Sequence, residues 1–99
     1  MTIKERKEDG KLIIEIEGKI DTNTSPELSE FFQNKLNGVK ELELDLEKVD
    51  YVSSAGLRTI LFAQKTMEAQ AGKMRVSHVC KEVMETFELT CFTDILTII

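Results

Sequence analysis

The spacing of apolar residues along the chain switches between a period of two and a period near 3.6. Around Ile3, and again at Leu12, Ile14 and Ile16, the alternation is that of strands. Asp9-Gly10 lies between them as a tight-turn signal, predicting an antiparallel hairpin with strands near 2–8 and 11–17. Gly18 and Lys19 start a loop. Thr24-Ser25-Pro26-Glu27 predicts a helix start. Thr24 with Glu27 fits a capping box, and Ser25 as N-cap before Pro26 is the competing register. Leu28, Phe31, Phe32 and Leu36 share one helical face, and Asn37-Gly38 ends it. Leu42, Leu44 and Leu46 then alternate with Glu41, Glu43 and Asp45, a strand buried on one side. Leu57, Ile60, Leu61, Gln64 and Met67 return to helical spacing. That helix is predicted from Ser54 to Gly72, with Gly72 as its left-handed end. Met74, Val76 and His78 alternate with Arg75 and Ser77 in a fourth strand, and Val83, Met84 and Phe87 mark a helix near 80–89. The apolar tail Ile95-Leu96-Thr97-Ile98-Ile99 fits either a last short strand or an amphipathic helix.

A hairpin followed by helix-strand-helix-strand-helix predicts one α/β domain over 1–99. Its mixed sheet has four to five strands, right-handed crossovers and helices packed against it. Binding sites in such sheets lie beyond the C-terminal ends of the parallel strands, where this order puts Asp21, Asp50 and Ser54.

Composition adds bounds. Ninety-nine residues bury roughly 60–65% of the surface the unfolded chain exposes, enough for one core. The net charge of −5 argues against nucleic acid and against anionic membrane surfaces, and favours a partner with a basic contact face. No apolar run reaches the length of a membrane span and no signal peptide is visible, so the expected location is cytoplasmic. Cys80 and Cys91 lack metal or redox spacing and read as reduced thiols. His78 is the single histidine and has no ligand partner at sequence spacing, so no metal and no cofactor is expected.

The chemistry concentrates where the third strand hands over to the second helix, at Ser53-Ser54-Ala55-Gly56. A helix start turns unpaired backbone N–H groups and positive dipole toward solvent. It stabilises a capping hydroxyl, and a phosphate on that hydroxyl still more. Spacing alone leaves both readings open: a serine that only caps, or a serine that accepts phosphate. Gly56 in the first turn either lets a partner approach the backbone or lets the turn pack on the Asp21 loop. Arg58 is expected on the exposed side of that turn, where it pairs with Asp50, meets a partner or faces water.

Asp45-Leu46-x-x-Val49-x-Tyr51-Val52-Ser53-Ser54-Ala55-Gly56-Leu57 resembles the signature of STAS domains, and most of all the bacterial anti-sigma factor antagonists. Ile20-Asp21-x-x-Thr24-x-Pro26-x-Leu28 is similar to that family's first loop-to-helix junction, and Val83-Met84-x-x-Phe87-x-Leu89-Thr90 to its late helix. The resemblance implies a STAS fold and a partner switch that is not an enzyme. In it, unmodified Ser54 binds an anti-sigma factor serine kinase, phosphorylation of Ser54 ends the contact, and a serine phosphatase restores it. The implied binding surface is Asp21, Thr24, Asp50, Tyr51, Ser53, Ser54, Gly56 and Arg58, with the first helix at its edge. Three positions depart from the family pattern. Ser53 replaces an aspartate and offers a second, less favoured acceptor. Ala55 replaces a hydroxyl residue. Cys91 replaces a glycine suited to positive φ, which implies either local strain or a different turn. A STAS scaffold subunit of a transport or signalling assembly, never phosphorylated, is the alternative. Catalysis by Ser54 would need a base and an oxyanion hole, and Gly-x-Ser-x-Gly is absent.

Overall fold

Asp9 and Gly10 both take positive φ, 53° and 80°, as the tight hairpin turn between twisted strands requires. They join β1 (Thr2–Glu8) to β2 (Lys11–Glu17), paired antiparallel from Glu8↔Lys11 to Thr2↔Glu17. The computed structural model describes all residues, Met1–Ile99. After the hairpin come α1 (Ser25–Lys35), β3 (Glu41–Lys48), α2 (Ser54–Ala69), β4 (Lys73–Ser77), α3 (Lys81–Leu89), a 3-10 turn at Phe92–Asp94, and β5 (Thr97–Ile98). The sheet runs β1-β2-β3-β4-β5, parallel from β2 onward. This is the mixed α/β sheet the pattern predicts, with five strands. The tail is a strand: Thr97 pairs with Arg75, Ile98 with Val76, and the Ile99 N–H donates to the Val76 carbonyl at 2.9 Å.

Alternation decides which face of the sheet is covered. Leu12, Ile14, Ile16, Leu42, Leu44, Leu46, Met74 and Val76 share one buried cluster with Leu28 and Phe32 of α1, Ile60 and Met67 of α2, and Val83 and Phe87 of α3. The opposite face carries charged residues in pairs, among them Lys11–Glu43 at 2.9 Å and Arg6–Glu15 at 2.7 Å. The helices therefore pack on one side and their connecting loops gather at the sheet's ends.

Three local expectations change and one open choice is settled. The capping box at Thr24 does not form: Thr24 is the N-cap of α1 but its side chain makes no capping bond, and Pro26 is the second helical residue. At the end of α2, Ala71 rather than Gly72 takes the left-handed conformation, φ 58°. The Gly72 N–H donates to the Met67 carbonyl and the Ala71 N–H to that of Glu68, a complete Schellman ending. Gly72 is needed for space instead, since a Cβ there would lie 3.0 Å from the Lys40 carbonyl oxygen. In β4 the alternation stops one residue early. Ser77 is buried and its hydroxyl donates to Glu43 at 2.6 Å, while His78 leaves the strand at φ 56° and is exposed. Cys91 takes φ 62°, so of the two possibilities at this turn the chain adopts the strained one.

Candidate functional site

Two loops meet at the C-terminal edge of the sheet because their backbones continue the β2–β3 pairing. Ile20 and Val52 form a parallel bridge. The Ile20 N–H donates to the Tyr51 carbonyl at 3.0 Å, and the Ser53 N–H to the Ile20 carbonyl at 2.9 Å. These bonds set the loop carrying Asp21 directly beside the start of α2.

At that start the two serines divide the work. Ser53 is the N-cap, with extended backbone at φ −86° and ψ 177°, and its Oγ accepts from the Gly56 N–H at 3.2 Å. Ser54 is the first helical residue and is exposed. With Ser53 as cap, the Ser54 hydroxyl stands in solvent at the electropositive helix end. Ser53→Ala is expected to lower stability by about 1 kcal/mol, the usual value of a lost cap, while Ser54→Ala leaves stability nearly unchanged. Urea unfolding of the two variants checks the assignment.

Gly56 does not offer its backbone to a partner. It is buried, and a Cβ on it would sit 2.4 Å from the Ile20 carbonyl oxygen and 2.9 Å from Ile20 Cγ2. The packing alternative holds, and Gly56 leaves the exposed part of the candidate surface.

Asp21 and Thr24 build their own turn. Asp21 Oδ1 accepts from the N–H groups of Asn23 at 2.9 Å and Thr24 at 3.0 Å. The Thr24 hydroxyl donates to the Lys19 carbonyl at 2.6 Å and accepts from the Asp21 N–H at 2.9 Å. The Thr24 N–H, then that of Asn23, holds the Asp21 carboxyl below its ordinary range, so it is charged at neutral pH. Both side chains are half-buried.

Asp50 and Tyr51 are exposed on the neighbouring loop. Their cation is Lys19, not Arg58: Lys19 Nζ lies 3.6 Å from Asp50 Oδ1 and 5.4 Å from the Tyr51 ring centre. Arg58 is exposed and borders a shallow hollow of about 340 Å³ between the start of α1 and α2. Phe62, 39% exposed, also lines that hollow.

Sequence reasoning missed Lys19 and Phe62. Phe62 was legible: Ser54, Arg58 and Phe62 recur every four residues and so form one stripe on α2. Lys19 gave no periodic signal, because its neighbours come from another loop. The structure also brings Asp45 and Glu47 to His78, their ligand-type atoms all within 4.8 Å of one another. His78 Nδ1 already hydrogen-bonds Asp45 Oδ1 at 3.0 Å, on the sheet's open face.

The site is an exposed serine at the start of a helix in a small α/β fold, with Asp21 and Asp50 on the adjoining loops. Residues 2–99 match the STAS domain model. The anti-sigma-B factor antagonist of Listeria monocytogenes is 31% identical over 99 residues, spanning 97% of this chain and 84% of that one. A Thermotoga maritima crystal structure, described as a candidate anti-sigma factor antagonist, superposes with a TM-score of 0.91 at 16% identity over 97% of this chain and 84% of that one. The Bacillus cell-fate determinant SpoIIAA has been solved unphosphorylated and phosphorylated. It superposes with TM-scores of 0.75 and 0.74 at 13% identity, over 99% of this chain and 87% and 91% of the respective chains. The chain belongs to the STAS domain family, in its branch of anti-sigma factor antagonists. No helix in it is long and apolar enough to cross a membrane.

Proposed function

We propose that this chain is a phosphorylation-controlled partner switch. Unmodified, it binds an anti-sigma factor that is also a serine kinase, in the cytoplasm, and so frees a sigma factor. Phosphorylated on Ser54, it lets go. The observation that carries this reading is the exposed Ser54 hydroxyl at the first position of α2, relieved of capping by Ser53. The Listeria relative's name and the two solved states of SpoIIAA support it.

The chemistry belongs to the partners. Ser54 Oγ attacks the γ-phosphorus of ATP held by the kinase. The new O–P bond forms as the bond to ADP breaks, and the hydroxyl proton passes to a base on the kinase. A phosphatase returns the hydroxyl by hydrolysis, releasing orthophosphate. The chain supplies an acceptor and a contact surface and catalyses neither step.

Charge explains the release. The phosphate brings about −1.5 to −2 at pH 7 to the first turn of α2. The helix start tolerates it, and nothing need refold. A docked partner packed on the neutral Ser54 hydroxyl would then face a dianion, and an acidic or closely packed group of the partner there meets like charge and bulk. One such close like-charge contact costs on the order of 1–3 kcal/mol in a half-solvated interface. The test is to purify the chain from its own cells and map phosphate by fragmentation mass spectrometry. A phosphate on Ser54 is expected. Protein unmodified under every growth and stress condition contradicts the reading, and phosphate on Ser53 alone moves the acceptor.

A further inference from the structure

We infer that Arg58 is the cation that holds the phosphate when Ser54 is modified. The inference rests on the partner-switch reading and concerns the regulation of the same serine.

Three observations carry it. Ser54 and Arg58 are four residues apart on α2 and both are exposed. Residues i and i+4 of a helix are surface neighbours, about 5–6 Å apart at Cβ. Second, Arg58 is uncommitted. Of the three arginines, Arg6 pairs with Glu8 and Glu15, and Arg75 reaches Glu41 at 3.9 Å, while Arg58 has no carboxylate within 4 Å. Its own helix offers none nearby, since Glu68 is the only acid from Ser54 to Ala69. Third, Arg58 borders a hollow lined by Thr22, Ser25, Pro26 and Phe62 among others, with no carboxylate in its wall. The wall of this hollow is thus free of carboxylates on a chain of net charge −5.

A phosphate on Ser54 Oγ adds acceptor oxygens just where an arginine fork can reach them. Arginine binds phosphate through paired N–H donors, in a geometry lysine lacks. Phosphorylation then does two things at once. It adds a dianion at the helix tip, and it draws Arg58 away from the hollow between α1 and α2, where a partner would otherwise meet it.

The test installs phosphoserine at position 54 by genetic encoding, which needs no kinase, and follows the phosphate by phosphorus NMR across pH. The other charges around it are Asp21 and Lys19 from the loop after β2, Asp50 from the loop after β3, and Glu27 in the first turn of α1. All are common to every variant. A paired cation favours the dianion, so Arg58→Gln should raise the second pKa of the phosphate by about half a pH unit. Arg58→Lys should fall between the two. The Arg58 Nε–H resonance should titrate with the phosphate in the otherwise native chain, and 1 M salt should shrink the difference. An identical phosphate pKa with and without Arg58, together with a stationary Arg58 resonance, overturns the inference. Failure here leaves the switch standing if cells phosphorylate Ser54. A titrating Arg58 in a protein that cells never phosphorylate leaves the pairing standing and removes the switch.

Discussion

On the proposed switch, Ser54→Asp is expected to weaken binding to the anti-sigma factor kinase by roughly fivefold or more, and Ser54→Ala to bind like the unmodified chain. Both expectations follow from where Ser54 stands. It is exposed and does not cap its helix, so losing the hydroxyl removes no internal contact. Aspartate in the first turn is tolerated by the helix dipole, so the variant folds. It nevertheless places a fixed negative charge where a docked partner would pack on a neutral hydroxyl. One like charge in a half-solvated contact costs about 1–3 kcal/mol, or roughly 5- to 150-fold in affinity. Aspartate carries less charge and bulk than a phosphate, so the phosphorylated chain should bind more weakly still. Titration calorimetry against the kinase reads the difference. Equal affinity for the alanine and aspartate variants would show that charge at position 54 does not govern binding.

Gly56→Ala is expected to destabilise the fold by about 2–3 kcal/mol, even though alanine ordinarily favours a helix over glycine by about 1 kcal/mol. The added methyl would lie 2.4 Å from the Ile20 carbonyl oxygen. That oxygen accepts the Ser53 N–H, so it cannot retreat without opening the seam between the two loops. The neighbour is backbone rather than a flexible side chain, and Ile20 is fully buried. For a domain of this size the loss corresponds to a fall of roughly 10–20 °C in melting temperature. Thermal unfolding followed by circular dichroism measures it. A variant as stable as the natural chain would mean that the seam is soft and does not fix Ser54 relative to Asp21.

The helices and strands were legible where one face of an element is buried. Leu42, Leu44 and Leu46 could only alternate as a strand, and Asp9-Gly10 could only turn tightly between two of them. The start of α2 at Ser54 was legible. Which serine caps it was not, because Ser53 and Ser54 have the same chemistry and only backbone geometry separates them. Thr24 misled for a related reason. Its hydroxyl fits a capping box, but the Lys19 carbonyl and the Asp21 N–H claim it first. The tail stayed open because a two-residue strand is too short to show a period. At the site, Asp21, Asp50 and Ser54 lie beyond the C-terminal ends of β2 and β3, where strand order puts them. What joins them is not local. Lys19 bridges Asp50 and Tyr51 through space, and Gly56 fits against Ile20 from another loop. Pairings between segments far apart in the chain leave no periodic trace in it. Ala71 shows the converse, a left-handed position held by a residue with no local preference for it, because Gly72 was required beside the Lys40 carbonyl.

The central claim is that one surface hydroxyl decides whether the partner stays. The most direct measurement adds magnesium and ATP to a preformed complex of this chain with the anti-sigma factor kinase proposed as its partner. Complex and phosphate on Ser54 are then followed together. The natural chain should leave the complex in step with phosphate incorporation, while Ser54→Ala should remain bound throughout. A complex that persists after Ser54 is fully phosphorylated, or one that dissolves equally fast with the alanine variant, contradicts the account.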